Sequence, residues 1–157
     1  MSSNLPPCGL YKTTEAIGPV PAERLVYFHN HGNPGPGIYA PESWNTNRAV
    51  FAERGTVIED LSLIDTLEPL PVEGLYYVKE EISCCVKGCR TFAPGVLVQL
   101  GYNGAAQPLL FVPHWHREGL HIPEQGFALD KDRICKLERL TVDQPKQEPS
   151  VSSMKLN

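Results

Sequence analysis

The sequence has no apolar run that approaches the ~20 residues needed to cross a bilayer. Its first residues, Met-Ser-Ser-Asn-Leu-Pro-Pro-Cys, lack the basic and apolar regions of a signal peptide. A basic cluster is missing too, since 14 Lys and Arg oppose 18 Asp and Glu and leave a net charge of −4. These absences predict a cytoplasmic chain without a membrane partner, and they disfavour a nucleic-acid partner.

The common catalytic fingerprints are also absent. We find no Gly-x-Ser-x-Gly elbow, no phosphate loop ending in Gly-Lys and no dinucleotide fingerprint. A nucleophilic Cys–His pair stays open as an alternative, because its two members need to meet only in the fold. The sequence therefore favours a non-enzymatic protein.

Long helices have little room in this sequence, because 15 prolines and 13 glycines are spread along the chain. Between them lie short runs rich in β-branched and aromatic residues, which predict an all-β fold. Residues 143–157 offer little to bury, so we expect a disordered C-terminal tail. The predicted strand segments are 9–11, 25–28, 37–40, 75–78, 96–100 and 109–112.

An internal repeat is the most informative feature of the sequence. Gly9-Leu10-Tyr11 recurs as Gly74-Leu75-Tyr76, and Trp44 matches Trp115. The matches keep their order along the chain, which predicts a tandem duplication with one copy at 9–70 and the other at 74–140. In strand number, turn placement and a length of roughly 60 residues, each copy resembles a small SH3-like barrel.

A copy of this size is marginally stable alone, because a small domain buries only ~60% of its unfolded surface. We therefore expect a pseudo-symmetric pair of barrels or one merged barrel. The two tryptophans are interpreted as core or inter-copy packing, since they occur at matching points.

The repeat separates framework residues from candidates for function. In the first copy, strand alternation places Val26 and Phe28 towards the core, and His29 and His31 on the opposite face. Two imidazoles at this spacing lie close enough to share a metal ion. The alternative is a polar strand face beside a turn.

The second copy adds a cysteine-rich insertion and a second His-x-His pair. Zinc favours thiolates and imidazoles, although Cys-Cys-x-x-x-Cys differs from the usual knuckle spacing. The alternatives are a loop of reduced thiols and exposed histidines. Cys8 and Cys135 adjoin apolar residues and are interpreted as small buried side chains. The candidate metal ligands are His29, His31, Cys84, Cys85, Cys89, His114 and His116.

Two functions follow from these features. The first is a non-enzymatic adaptor that binds a protein or peptide through two β-rich repeats, with Tyr27, Tyr77 and Tyr102 as the aromatic contacts and no cofactor. The second is a zinc-binding or thiol-dependent protein that uses the His-x-His pairs and the cysteine-rich loop, with zinc as its cofactor.

Overall fold

The computed structural model describes residues 4–83 and 90–143, and its fold is built from short strands. The predicted tail beyond residue 143, and Cys84, Cys85 and Cys89, lie outside the described residues. The strands are β1 (Gly9–Lys12), β2 (Leu25–His29), β3 (Gly37–Tyr39), β4 (Pro41–Asn45), β5 (Arg48–Phe51), β6 (Thr56–Val57), β7 (Glu68–Pro69), β8 (Gly74–Val78), β9 (Ile82–Ser83), β10 (Thr91–Phe92), β11 (Leu97–Tyr102), β12 (Pro108–Phe111), β13 (His114–His116), β14 (Gly119–His121), β15 (Phe127–Ala128) and β16 (Leu137–Arg139).

Helix is confined, in the described part of the chain, to two short 3₁₀ segments. They span Leu61–Thr66 and Lys131–Lys136. No described helix has the length and apolar character required to cross a membrane. The prediction of an all-β chain is confirmed, and each of the six predicted strand segments overlaps an observed strand.

The chain divides into two compact units. Of the described residues, unit 1 contains 4–42, 51–70 and 141–143, whereas unit 2 contains 43–50, 71–83 and 90–140. Residues 43–50, which form the tip of the β4–β5 hairpin, therefore belong to unit 2 although they lie in the first half of the sequence.

Unit 1 is organised around a five-stranded sheet in the order β6-β3-β2-β1-β7. Strand β1 runs antiparallel to β2, with Gly9 opposite Phe28. Val26 and Phe28 are fully buried, as alternation predicts, and pack in one apolar cluster with Ile38 and Ile64. This apolar cluster packs against one face of β2. His29, the last residue of β2, lies on the other face.

Unit 2 has a five-stranded sheet in the order β15-β12-β11-β8-β16. Val98 and Leu100 of β11 are fully buried, and Gln99 and Gly101 between them are buried as well, so both faces of this strand are covered. The β13–β14 hairpin forms a separate two-stranded sheet. In the described part of the chain the sheets are open ribbons and none closes into the barrel that the sequence predicts.

The two tryptophans have different surroundings. Trp44 is 44% exposed and its indole Nε1 donates a hydrogen bond to the Tyr102 carbonyl at 2.9 Å. Trp115 is 80% exposed on the β13–β14 hairpin. The interpretation of both side chains as core packing is therefore wrong for Trp115, because its strand belongs to a two-stranded sheet that leaves the indole in solvent.

Candidate metal centre

Cys8, His29 and His31 converge at one end of the central strands of unit 1. The register that pairs Gly9 with Phe28 places Cys8 opposite His29 when it is extended by one residue. His31 lies in the bend that follows β2, and this bend brings its ring beside that of His29. Their rings are 4.2 Å apart between centroids.

The three potential ligand atoms form a compact triangle. Cys8 Sγ lies 3.5 Å from His29 Nδ1 and 3.9 Å from His31 Nδ1, and the three atoms all lie within 4.8 Å of one another. On a tetrahedral zinc ion with bonds of ~2.3 Å to sulfur and ~2.0–2.1 Å to nitrogen, sulfur and nitrogen are separated by about 3.6 Å. The two sulfur–nitrogen distances therefore fit coordination of one ion, and the two imidazoles have to close together on it.

Asn30 holds the thiol in this position. Its backbone N–H donates to Cys8 Sγ at 3.3 Å, and the thiol donates to Asn30 Oδ1 at 3.2 Å. The same side chain donates from Nδ2 to the Pro6 carbonyl at 3.0 Å, which ties the segment before β1 to the end of β2. When Cys8 is a thiolate, the backbone N–H of Asn30 still has an acceptor.

The connection between β1 and β2 fixes their register. Thr13 is completely buried, and its hydroxyl donates to the Pro21 carbonyl at 2.8 Å and accepts from Arg24 N–H at 2.9 Å. Because a register shift of one residue would turn every side chain to the other face, this anchored connection also determines which residue meets His29.

The loop after His31 closes tightly. A Cβ atom on Gly32 would lie 2.9 Å from the Gly35 carbonyl and 3.5 Å from the His29 ring. Glycine is therefore required at position 32 because the backbone passes so close to the Gly35 carbonyl oxygen, whereas the distance to the imidazole is an ordinary contact.

Burial favours the form of His29 that ligates a metal. Cys8 and His29 are half-buried, whereas His31 is exposed. Partial burial, and in second place the charge of His31, lower the pKa of His29 from its ordinary value. The neutral imidazole, which offers a lone pair to a cation, is thereby favoured.

The predicted ligands separate into two described groups. His29 and His31 meet as predicted, and Cys8 joins them although the sequence assigned it to an apolar environment. His114 and His116 also meet, with 3.0 Å between their Nε2 atoms, in unit 2. Cys135 is exposed, contrary to its interpretation as a buried side chain. Convergence of both histidine pairs on one ion stays a prediction.

The three predicted aromatic contacts differ in accessibility. Tyr27 is half-buried and its ring lies 5.8 Å from that of Phe51, and Tyr77 is half-buried with a hydrogen bond to Glu138. Tyr102 is 1% exposed and its hydroxyl donates to the Pro71 carbonyl at 2.7 Å. Its ring is therefore enclosed in the core of unit 2 and offers no surface to a peptide.

Unit 2 contains an open groove of about 970 Å³. Arg48, Glu73 and Glu124 line it together with the polar side chain of Gln99, so its charges are mixed. His121 borders the groove. The polar lining offers hydrogen-bonding groups to a ligand, and the described residues that form it include no cysteine.

Comparison with other proteins gives no assignment. The chain matches no protein-family profile, no curated protein and no solved structure, so its function has to be argued from the Cys8, His29 and His31 geometry alone.

Proposed function

We propose that this protein binds a zinc ion through Cys8, His29 and His31. The observation that carries the proposal is the fit of the two sulfur–nitrogen distances, 3.5 and 3.9 Å, to the ~3.6 Å expected around tetrahedral zinc. One thiolate and two imidazoles are ligands that zinc accepts, whereas magnesium and calcium prefer oxygen.

The described residues supply three ligands, and His31 lies at the solvent-exposed side of the triangle. A fourth position filled by water or by an exogenous ligand would complete the tetrahedron. The side-chain oxygen of Asn30 accepts from Cys8 Sγ at 3.2 Å and lies 2.5 Å from His31 Nδ1, so both atoms give up a hydrogen bond to Asn30 when they bind the ion.

Cobalt(II) tests this proposal, because a cobalt–thiolate bond produces a near-ultraviolet charge-transfer band and imidazoles alone do not. The test uses a chain in which Cys84, Cys85 and Cys89 are replaced by serine, so that Cys8 and Cys135 are the remaining thiols. We expect the band to persist in this chain, to persist after Cys135→Ser and to disappear after Cys8→Ser.

A second substitution keeps the test decisive if Cys8→Ser fails to fold. His31 is exposed, so His31→Ala leaves the core intact, and we expect it to weaken cobalt binding by at least about tenfold, because loss of an outer-sphere partner alone costs about 10–100-fold. Loss of the band on removing the three loop cysteines, or its survival after Cys8→Ser, would contradict the assignment.

We also propose that residues 9–70 and 74–140 are copies of one SH3-like folding plan, whose sheets stay open here. Matching strands by order makes the sheets equivalent, since β6-β3-β2-β1-β7 corresponds to β15-β12-β11-β8-β16. A 3₁₀ segment precedes the closing strand in each case. Superposition of the matched strands in an experimental structure tests this, and divergent strand paths would contradict it.

The adaptor hypothesis stays a prediction. Tyr27 and Tyr77 remain its aromatic candidates, and Tyr102 leaves the set because it is buried. A zinc site in unit 1 is compatible with peptide binding elsewhere, so the two hypotheses are tested separately.

A further inference from the structure

The β13–β14 hairpin of unit 2 carries three histidines on one face. His114 and His116 are two residues apart on β13, and His121 lies directly opposite His114 on β14. The fourth position of this face, opposite His116, is Gly119, which has no side chain. Trp115 and Leu120 pair with each other on the other face.

The three rings are spaced as they would be around one ion. Their centroids are 4.8 Å apart for His114 and His116, and 5.1 Å for each of these with His121. Three imidazoles on one tetrahedral ion, with metal–nitrogen bonds of ~2.0–2.1 Å, have centroids about 5 Å apart. The spacing therefore fits all three pairs.

The nitrogen positions agree with this spacing for the closest pair, whereas the His121 ring has to turn before its nitrogen joins them at ligand distance. The Nε2 atoms of His114 and His116 are 3.0 Å apart, against about 3.3 Å for two nitrogens on one tetrahedral zinc. All three side chains are exposed, so they can turn their nitrogens onto a common ion without displacing a core residue.

The backbone of the hairpin supports the arrangement. Gly119 has a φ of +125°, a conformation that side chains of L residues rarely adopt, and it follows the two-residue turn at Arg117 and Glu118. This turn fixes the register that sets His121 opposite His114, so the three ligands are positioned by local pairing.

We propose that His114, His116 and His121 form a second zinc site, with three imidazole ligands and a fourth position open to solvent. Sulfur is absent from this ligand set, which distinguishes it chemically from the Cys8 site. The chain has five histidines, and the two sites together use all of them. Because His121 borders the groove of unit 2, the open position lies beside it.

Titration of the full chain with zinc alone, followed by NMR of the five imidazole rings, tests the proposal. We expect the signals of His114, His116 and His121 to shift together and to saturate with one ion. His121→Ala should raise the zinc concentration at half-saturation of the His114 and His116 signals by at least about tenfold, since loss of an outer-sphere partner alone costs about 10–100-fold.

Leu120→Ala is the matched control, because Leu120 lies on the opposite face of the same strand, and it should leave the midpoint unchanged. The signals of His29 and His31 should be unaffected by His121→Ala, which separates failure of this site from failure of the Cys8 site. Saturation of the three hairpin histidines at different zinc concentrations, or an unchanged midpoint in His121→Ala, would overturn the proposal.

Discussion

Cys8 shows how a single backbone register determines the chemistry of a side chain. Its neighbours in sequence, Pro7 and Gly9, carry no functional group, yet its sulfur meets two imidazoles and the amide of Asn30. The sequence predicted that His29 and His31 lie close together by extending strand alternation to residue 31, and the structure brings them together although β2 ends at His29. The contribution of Cys8 could not be predicted, because it depends on the register across residues 13–24, which the buried Thr13 fixes.

Glu73 offers a test of burial at the scale of one residue. Its carboxylate accepts a hydrogen bond from Ala49 N–H at 3.0 Å, and burial raises the pKa of this carboxyl above its usual value. A raised pKa means that the folded state holds the proton more tightly than the unfolded state. The associated stability is therefore complete below the unfolded pKa and is lost as pH rises through the folded pKa.

Glu73→Gln should remove this dependence of stability on pH, while its side-chain oxygen still accepts the hydrogen bond from Ala49 N–H. We expect the variant to unfold at a higher temperature than the wild type at neutral pH, and the difference to shrink as the pH falls towards ~4.3. Thermal unfolding of both chains across this range measures it. A difference that grows on acidification would show that the buried carboxylate stabilises the fold.

At the scale of elements, the β4–β5 and β13–β14 hairpins carry tryptophans that the sequence comparison matches. We expect these two side chains to contribute unequally to the free energy of unfolding. Trp44 is hydrogen-bonded within unit 2, whereas Trp115 is 80% exposed. We expect Trp44→Ala to lower the free energy of unfolding by about 1–3 kcal/mol, below the ~3–5 kcal/mol of a fully buried aromatic side chain. Trp115→Ala should stay within about 0.5 kcal/mol of the wild type.

Circular dichroism is the appropriate measurement for both tryptophan variants, because fluorescence would lose its reporter. Equal destabilisation by the two substitutions would contradict the different environments of the hairpins. Repeat matching predicted that Trp44 and Trp115 occupy corresponding positions. It could not predict their burial, because exposure depends on what packs against each hairpin and the repeat describes only the element itself.

At the scale of the whole molecule, the composition and the frequent proline and glycine residues determine the fold class. Frequent proline and glycine limit helix to two 3₁₀ segments in the described residues, and alternation correctly places Val26, Phe28, Val98 and Leu100 inside. The prediction that each sequence copy closes into a barrel was wrong. An open sheet and a barrel can share the same strand patterns and differ only in whether their edge strands pair.

Both proposed metal sites use histidine side chains. The residues on which they rest are two strand ends in unit 1 and one hairpin in unit 2, and each group is brought together by antiparallel pairing. Each unit would therefore bind its own ion, one with sulfur and one without. The central claim concerns the first of these, in which Cys8 is a ligand.

Zinc X-ray absorption spectroscopy tests that claim most directly. It is applied to a chain in which Cys84, Cys85 and Cys89 are replaced by serine and His114 and His121 by alanine, loaded with one zinc ion, so that neither the loop thiols nor the hairpin site contributes. We predict one sulfur neighbour at ~2.3 Å, with the remaining neighbours nitrogen or oxygen at ~2.0–2.2 Å, and loss of the sulfur on Cys8→Ser. A shell of nitrogen and oxygen alone, or sulfur that survives Cys8→Ser, would contradict the account.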